Sequence, residues 1–124
     1  MSSIAKALES IQIRISNAAH KAGRNPDDIR LLAASKRTGH HGVVEAIQAG
    51  QLLFGENRAQ SFRDKYRQVQ PQYPNSEWHF IGHLQKNKAK YICGKATMLH
   101  SLDSLELAAA LSARLEREQA PPLK

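Results

Sequence analysis

The chain has 124 residues, 41% of them hydrophobic and 23% charged, which suits one modest globular domain and excludes a disordered polypeptide. A single cysteine, Cys93, excludes an intrachain disulfide framework, no apolar run approaches the roughly 18 residues of a membrane span, and Met1 to Lys6 lack the pattern of a secretory signal, so a cytoplasmic protein is expected. The formal net charge of +7 fits a polyanionic partner or a site for a phosphorylated small molecule.

Residues 3–22 place Ile4, Leu8, Ile11, Ile15, Ala18 and Ala22 at steps of four and three, the seam of a long helix. Gly23 stops it, and Asn25-Pro26-Asp27 makes a turn. The segment is too short for a sustained coiled coil, so the seam is expected to cover one end of a core. Ile29 to Ser35, with the apolar run Leu31-Leu32-Ala33-Ala34, reads as the first strand. A short helix follows over 43–50, with Val43, Val44 and Ile47 on one side and Gly50 as its stop. Leu52-Leu53-Phe54 forms a second strand that runs into Gly55-Glu56-Asn57. The helix over 58–69 buries Ala59, Phe62, Tyr66 and Val69, with Pro71 and Pro74 beyond its end. Trp78-His79-Phe80-Ile81 is the third strand, closed by Gly82. A lysine-rich helix over 84–93 is anchored by Leu84, Tyr91 and Ile92, and Thr97-Met98-Leu99-His100 is the fourth strand. Asp103 and Glu106 read as a capping box for a last helix over 104–118, burying Leu105, Ala108, Leu111 and Leu115. Strands alternating with helices at this spacing imply parallel strands with crossover helices. Four such units are half of an eight-unit barrel or most of an open doubly wound sheet.

Parallel α/β folds bind ligands at the carboxyl ends of their strands. Here those ends carry Lys36, Glu56-Asn57, His79 with Gly82-His83, and His100-Ser101 with Asp103. One shared site explains that pattern better than coincidence. Strand alternation puts Leu32, Ala34 and Lys36 on one face, where small Ala34 leaves room for a ligand. Desolvation there frees a lysine amine to attack a carbonyl. A lysine that simply exits the strand into solvent fits the same residues, and the strand alone does not choose between them. His79 and His83 are spaced for a metal pair on a helix, but they sit on a strand running into a turn with no third ligand nearby, so no metal site is expected. Cys93 is expected in the core, and Lys86, Lys88 and Lys90 on a solvated face.

Four blocks occur in a familiar order: Leu31-Leu32-Ala33-Ala34-Ser35-Lys36, Phe54-Gly55-Glu56-Asn57, the run Trp78-His79-Phe80-Ile81-Gly82-His83-Leu84-Gln85-Lys86-Asn87-Lys88, and His100-Ser101-Leu102-Asp103-Ser104. With them the chain resembles the YggS/PROSC family of pyridoxal phosphate homeostasis proteins, over essentially its whole length. The resemblance implies an α/β chain forming the first four βα units of a (β/α)8 TIM barrel of the alanine racemase N-terminal type, after an N-terminal helix. Residues 1–124 are then a partial, half-barrel domain. It implies pyridoxal 5'-phosphate (PLP) held as a Schiff base on Lys36, with Asn57 beside the cofactor and His79 and Ile81 at the third strand. It further implies a carrier without robust turnover, serving PLP-dependent apoenzymes and the balance of amino-acid and vitamin B6 pools. The alternative within the resemblance is a racemase-like PLP enzyme, which needs a second acid/base. The alternative outside it is a basic nucleic-acid-binding module built on the lysine-rich helix.

Two departures from the family pattern stand out. Arg37-Thr38-Gly39-His40-His41 replaces a Thr-Lys-Pro-like segment after the lysine. Pro121-Pro122-Leu123-Lys124 falls where a fifth strand is expected to begin. The phosphate cradle and the arginine facing the pyridine nitrogen are therefore expected outside this chain, cofactor binding by it alone is expected to be weak, and its open barrel edges invite self-association.

Overall fold

The structure is a computed structural model and describes residues 2–124. Ser2 opens the first helix by accepting the Ala5 N–H at 3.1 Å, and α1 runs over Ser3–Lys21. A 3-10 turn at Pro26–Asp28 leads to β1 (Ala33–Ala34), α2 (His40–Gln48), β2 (Leu53–Glu56), α3 (Ala59–Val69) and β3 (Glu77–Phe80). A 3-10 segment (Lys86–Tyr91), β4 (Met98–Leu99) and α4 (Leu105–Glu118) complete the order.

The four strands are all parallel and lie in the sequential order β1-β2-β3-β4. That order separates the two candidate architectures. A doubly wound sheet reverses direction and so carries helices on both faces. Here every crossover steps the same way, and right-handed crossovers then place all their helices on one face. The result is a run of βα units with helices outside and the other face of the sheet open, as in part of a barrel. At the far edge of β4, the Lys124 N–H donates to the Thr97 carbonyl (3.2 Å) and the Lys124 carbonyl accepts from the Leu99 N–H (2.7 Å). This is the bonding pattern of a further parallel strand.

The core lies between sheet and helices. Phe54 pairs in register with Trp78, and Glu56 with Phe80. Their rings meet Phe62 of α3, with Phe62 edge-on to both Trp78 and Phe80. Phe54, Phe62, Trp78, Phe80 and Ile92 are all essentially inaccessible to solvent. No helix among the described residues is long and apolar enough to cross a membrane.

The sequence-based elements hold in number and order but shift in detail. The first strand is two residues rather than seven. Gln51 takes over part of its pairing, its side-chain amide donating to the carbonyls of Leu31 (2.7 Å) and Leu53 (2.8 Å). The lysine-rich helix is the 3-10 segment, with Lys88 bonding back to Gln85 and Ile92 to Ala89. Its buried anchors are Leu84, Ala89, Ile92 and Cys93, while Tyr91 is only partly covered. In α4 the cap is Ser104, whose Oγ accepts from the Leu107 N–H at 3.1 Å, not Asp103. The buried stripe is accordingly Leu107 and Leu111, and Leu105 is 89% exposed. In α1 Ile4 and Leu8 of that seam pack against the core, the buried residue is Ala19 beside it, and Ile11 is 37% exposed.

Candidate functional site

Parallel pairing lines up the strand ends. The Ser35 N–H donates to the Gly55 carbonyl (3.1 Å), the Ile81 N–H to the Glu56 carbonyl (2.8 Å) and the His100 N–H to the Phe80 carbonyl (3.0 Å). Lys36, Asn57, Ile81 and His100 thereby follow one another along a single carboxyl edge. Lys36 is exposed and directly follows the buried Ser35. It opens a turn closed by the Thr38 N–H on the Ser35 carbonyl (3.0 Å). The segment after it, which departs from the family pattern, folds compactly. Gly39 becomes the N-cap of α2, and Thr38 packs where a side chain on Gly42 would otherwise sit, 2.1 Å from a Cβ built there.

A second close approach fixes Asn57. A Cβ on Gly82 would lie 2.2 Å from the Asn57 carbonyl oxygen, so the β2 and β3 ends meet only because residue 82 is glycine. The Ser101 hydroxyl ties the next strand end to the same point by donating to the Gly82 carbonyl. One strand residue earlier, Gly55 leaves space on the open face that Leu32 and Ile81 share. A Cβ there would meet Leu32 Cδ2 at 2.5 Å and Ile81 Cδ1 at 3.0 Å. These side chains make an apolar floor beside the Lys36 turn.

The polar strand ends do not all join this edge. Glu56 shares its face with Phe54 and Phe80, is fully buried and points at the helices. Its Oε2 accepts from Lys65 of α3 at 2.9 Å and from the Ser35 hydroxyl, and Lys65 also donates to the Ser35 carbonyl. This ion pair, which sequence reasoning missed, clamps the residue that precedes Lys36. A lysine in the otherwise exposed stripe of α3 was the available signal. His83 pairs with Asp103 at the surface (3.4 Å), apart from His79.

His79 lies within β3 rather than at its end, in register with Gly55 and Met98 on the open face. It is 5% exposed. Its Nε2 stands 2.7 Å from Glu77 Oε2 and its Nδ1 3.0 Å from His100 Nε2. Glu77 also accepts from Arg30 at 2.9 Å and from the Thr97 hydroxyl at 3.1 Å. The Arg30 hydrogen bond, with smaller help from His79 and Thr97, holds the Glu77 carboxyl down to about 2 against the opposing effect of burial. Glu77 is the other site-face residue that sequence reasoning passed over, because a glutamate opening a strand reads as an ordinary solvent-facing end.

The edge thus offers a primary amine at a turn, an asparagine anchored by its backbone at the neighbouring strand end, and an aliphatic floor. This set fits the aldehyde end and the flat ring of a pyridoxal-type cofactor.

No protein-family profile matches the chain. The pyridoxal phosphate homeostasis protein of Escherichia coli K12 is 41% identical over 124 residues, covering 99% of this chain and 53% of the relative. That of Vibrio alginolyticus is 37% identical over 123 residues, covering 98% and 53%. The chain spans about half the length of the curated relatives it matches. Among solved structures, an unknown protein from Bifidobacterium adolescentis superposes with a TM-score of 0.87 at 29% identity, covering 94% of this chain and 51% of the other. PipY of Synechococcus elongatus with PLP bound superposes with a TM-score of 0.78 at 32% identity, covering 94% and 50%.

Proposed function

Because this chain belongs to the pyridoxal phosphate homeostasis protein family, over about half of its relatives' length, we propose that it supplies the covalent side of a PLP site, holding the cofactor as a Schiff base on Lys36. The observation that carries this reading is the shared carboxyl edge, where backbone bonds place Lys36, Asn57 and Ile81 in sequence. Lys36 provides the amine, and its turn is braced from behind by Lys65 and Glu56. Asn57 offers a carboxamide whose backbone cannot shift while Gly82 lies against it. Ile81, with Leu32, supports the ring by apolar contact. His79 lines the open face below them. The bound cofactor supplies an electrophilic carbon and an electron sink; the chain orients it and keeps its own amine available.

The biological role that follows is cytoplasmic buffering or delivery of PLP to apoenzymes and balance of amino-acid pools. Among the described residues this edge offers no dedicated cradle for the cofactor's phosphate, so the chain alone is expected to bind PLP weakly. The sheet face left open by one-sided helix packing also favours self-association. The test is the visible absorption of the protein mixed with PLP, compared with Lys36→Ala. Loss of the band in the variant is expected, and an unchanged band refutes the assignment. Racemisation of amino acids by the PLP-loaded protein would instead favour an enzyme, which requires a second acid/base.

A further inference from the structure

We propose that Glu77, His79 and His100 form a one-proton relay that accepts a proton at His100 Nδ1 and holds it on His79 against the Glu77 carboxylate. His100 stands among the polar strand ends of the shared site without a chemical role of its own, and Glu77 lies outside the blocks that carry the resemblance. Glu77 sets the first tautomer of the chain. A carboxylate only accepts hydrogen bonds, so the 2.7 Å contact requires a proton on His79 Nε2. In neutral His79 the other nitrogen, Nδ1, is then a bare acceptor. Its partner at 3.0 Å, His100 Nε2, must carry the hydrogen of that bond. Neutral His100 is left with an unprotonated Nδ1. That nitrogen has no hydrogen-bond partner among the described residues, and His100 is exposed.

One proton reverses the chain. When His100 Nδ1 takes a proton from a donor, the Nε2 proton of His100 passes across the 3.0 Å hydrogen bond to His79 Nδ1. His79 becomes an imidazolium with both nitrogens protonated, His100 becomes neutral in its other tautomer, and its Nδ1 is now a donor. No bond to carbon changes and no oxidant or reductant is needed. The charged groups in contact with this chain are Glu77 and, through it, Arg30. Glu77 is already ionised and bound by Arg30 and Thr97, so the imidazolium finds a preformed counter-charge. The geometry rests only on these contacts. Its purpose rests on the proposed cofactor site, because amine exchange at a carbonyl carbon requires an incoming ammonium to lose a proton before it attacks.

The experiment is long-range proton–nitrogen correlation NMR on the cofactor-free protein labelled with ¹⁵N-histidine. Without the extra proton both His79 and His100 are expected as Nε2–H tautomers; with it, His79 is expected to carry both ring protons and His100 to appear as the Nδ1–H tautomer. His79 found as the Nδ1–H tautomer, or the added proton found on a His100 protonated at both nitrogens, overturns the relay. His100→Gln keeps an amide donor for His79 Nδ1 but has no basic nitrogen. It is expected to preserve the His79 Nε2–H tautomer, and a switch of His79 to Nδ1–H in this variant overturns the relay. With PLP added, the exchange of a bound amine is expected to show an altered pH profile in His100→Gln, because the incoming ammonium then loses its proton to solvent, and an identical pH profile contradicts the relay's role. If no PLP adduct forms on Lys36, the cofactor site fails while the ring-nitrogen result still decides the relay.

Discussion

At the scale of single residues, which strand ends carry chemistry was legible, but which way each points was not. Side chains on a strand alternate, so an error of one residue in a strand boundary sends a side chain to the opposite face. Glu56 shows this. It sits next to Asn57 in the sequence yet faces α3, where it meets Lys65. With Glu56 fully buried, Lys65→Met leaves an uncompensated charge and is expected to cost about 3–5 kcal/mol in chemical denaturation. A cost near zero would mean that the pair does not brace the Lys36 turn. Glu77 gives a prediction in pH. Its carboxyl is depressed from 4.5 to about 2, so its contribution to stability is complete above 4.5 and is lost as pH falls through that interval. In acid unfolding, Arg30→Ala is therefore expected to flatten the loss of stability below pH 4.5. An acid limb identical to that of the unaltered protein would contradict the assigned contact.

At the scale of elements, periodicity gave the number and order of the strand–helix units, because α2, β2, α3, β3 and α4 bury residues against one common core. It failed where tertiary contacts replace local bonding. The segment folds as 3-10 turns over Lys86–Tyr91, while Ala89, Ile92 and Cys93 keep the i, i+3, i+4 spacing of a helical face and are buried together with Leu84. Cys93 is consequently inside. Burial, and to a lesser degree Glu118, pushes its thiol up, against weaker opposition from Arg114 and Lys95. Alkylation of Cys93 is expected to be slow in the native protein and fast in denaturant; rapid native labelling would place this segment elsewhere. In α4 the cap lies one residue later than the Asp103 expectation, which rotates the buried stripe onto Leu107. Leu107→Ala is expected to destabilise by about 2–5 kcal/mol and Leu105→Ser by less than about 0.5 kcal/mol, read from denaturation midpoints. The opposite ranking would restore the stripe read from periodicity.

At the scale of the molecule, strand count and parallel pairing were readable from the alternation of elements, whereas strand order was not. Order depends on which way each crossover steps, and both architectures use the same local signals. The sequential order leaves one face of the sheet without helices, and on that face lie Leu32, Ile81, Met98 and the Glu77–His79–His100 chain. An open apolar face and a free β1 edge predict concentration-dependent sedimentation, with a monomeric mass at all concentrations as the contrary outcome.

The central claim concerns Lys36, the amine at the head of that edge. Incubation with PLP, reduction with borohydride and mass spectrometric mapping of the trapped pyridoxyl group test it most directly. The modification is expected at Lys36 in preference to the other lysines. A label spread over Lys86, Lys88, Lys90 and Lys95, with Lys36 unmodified, would contradict it.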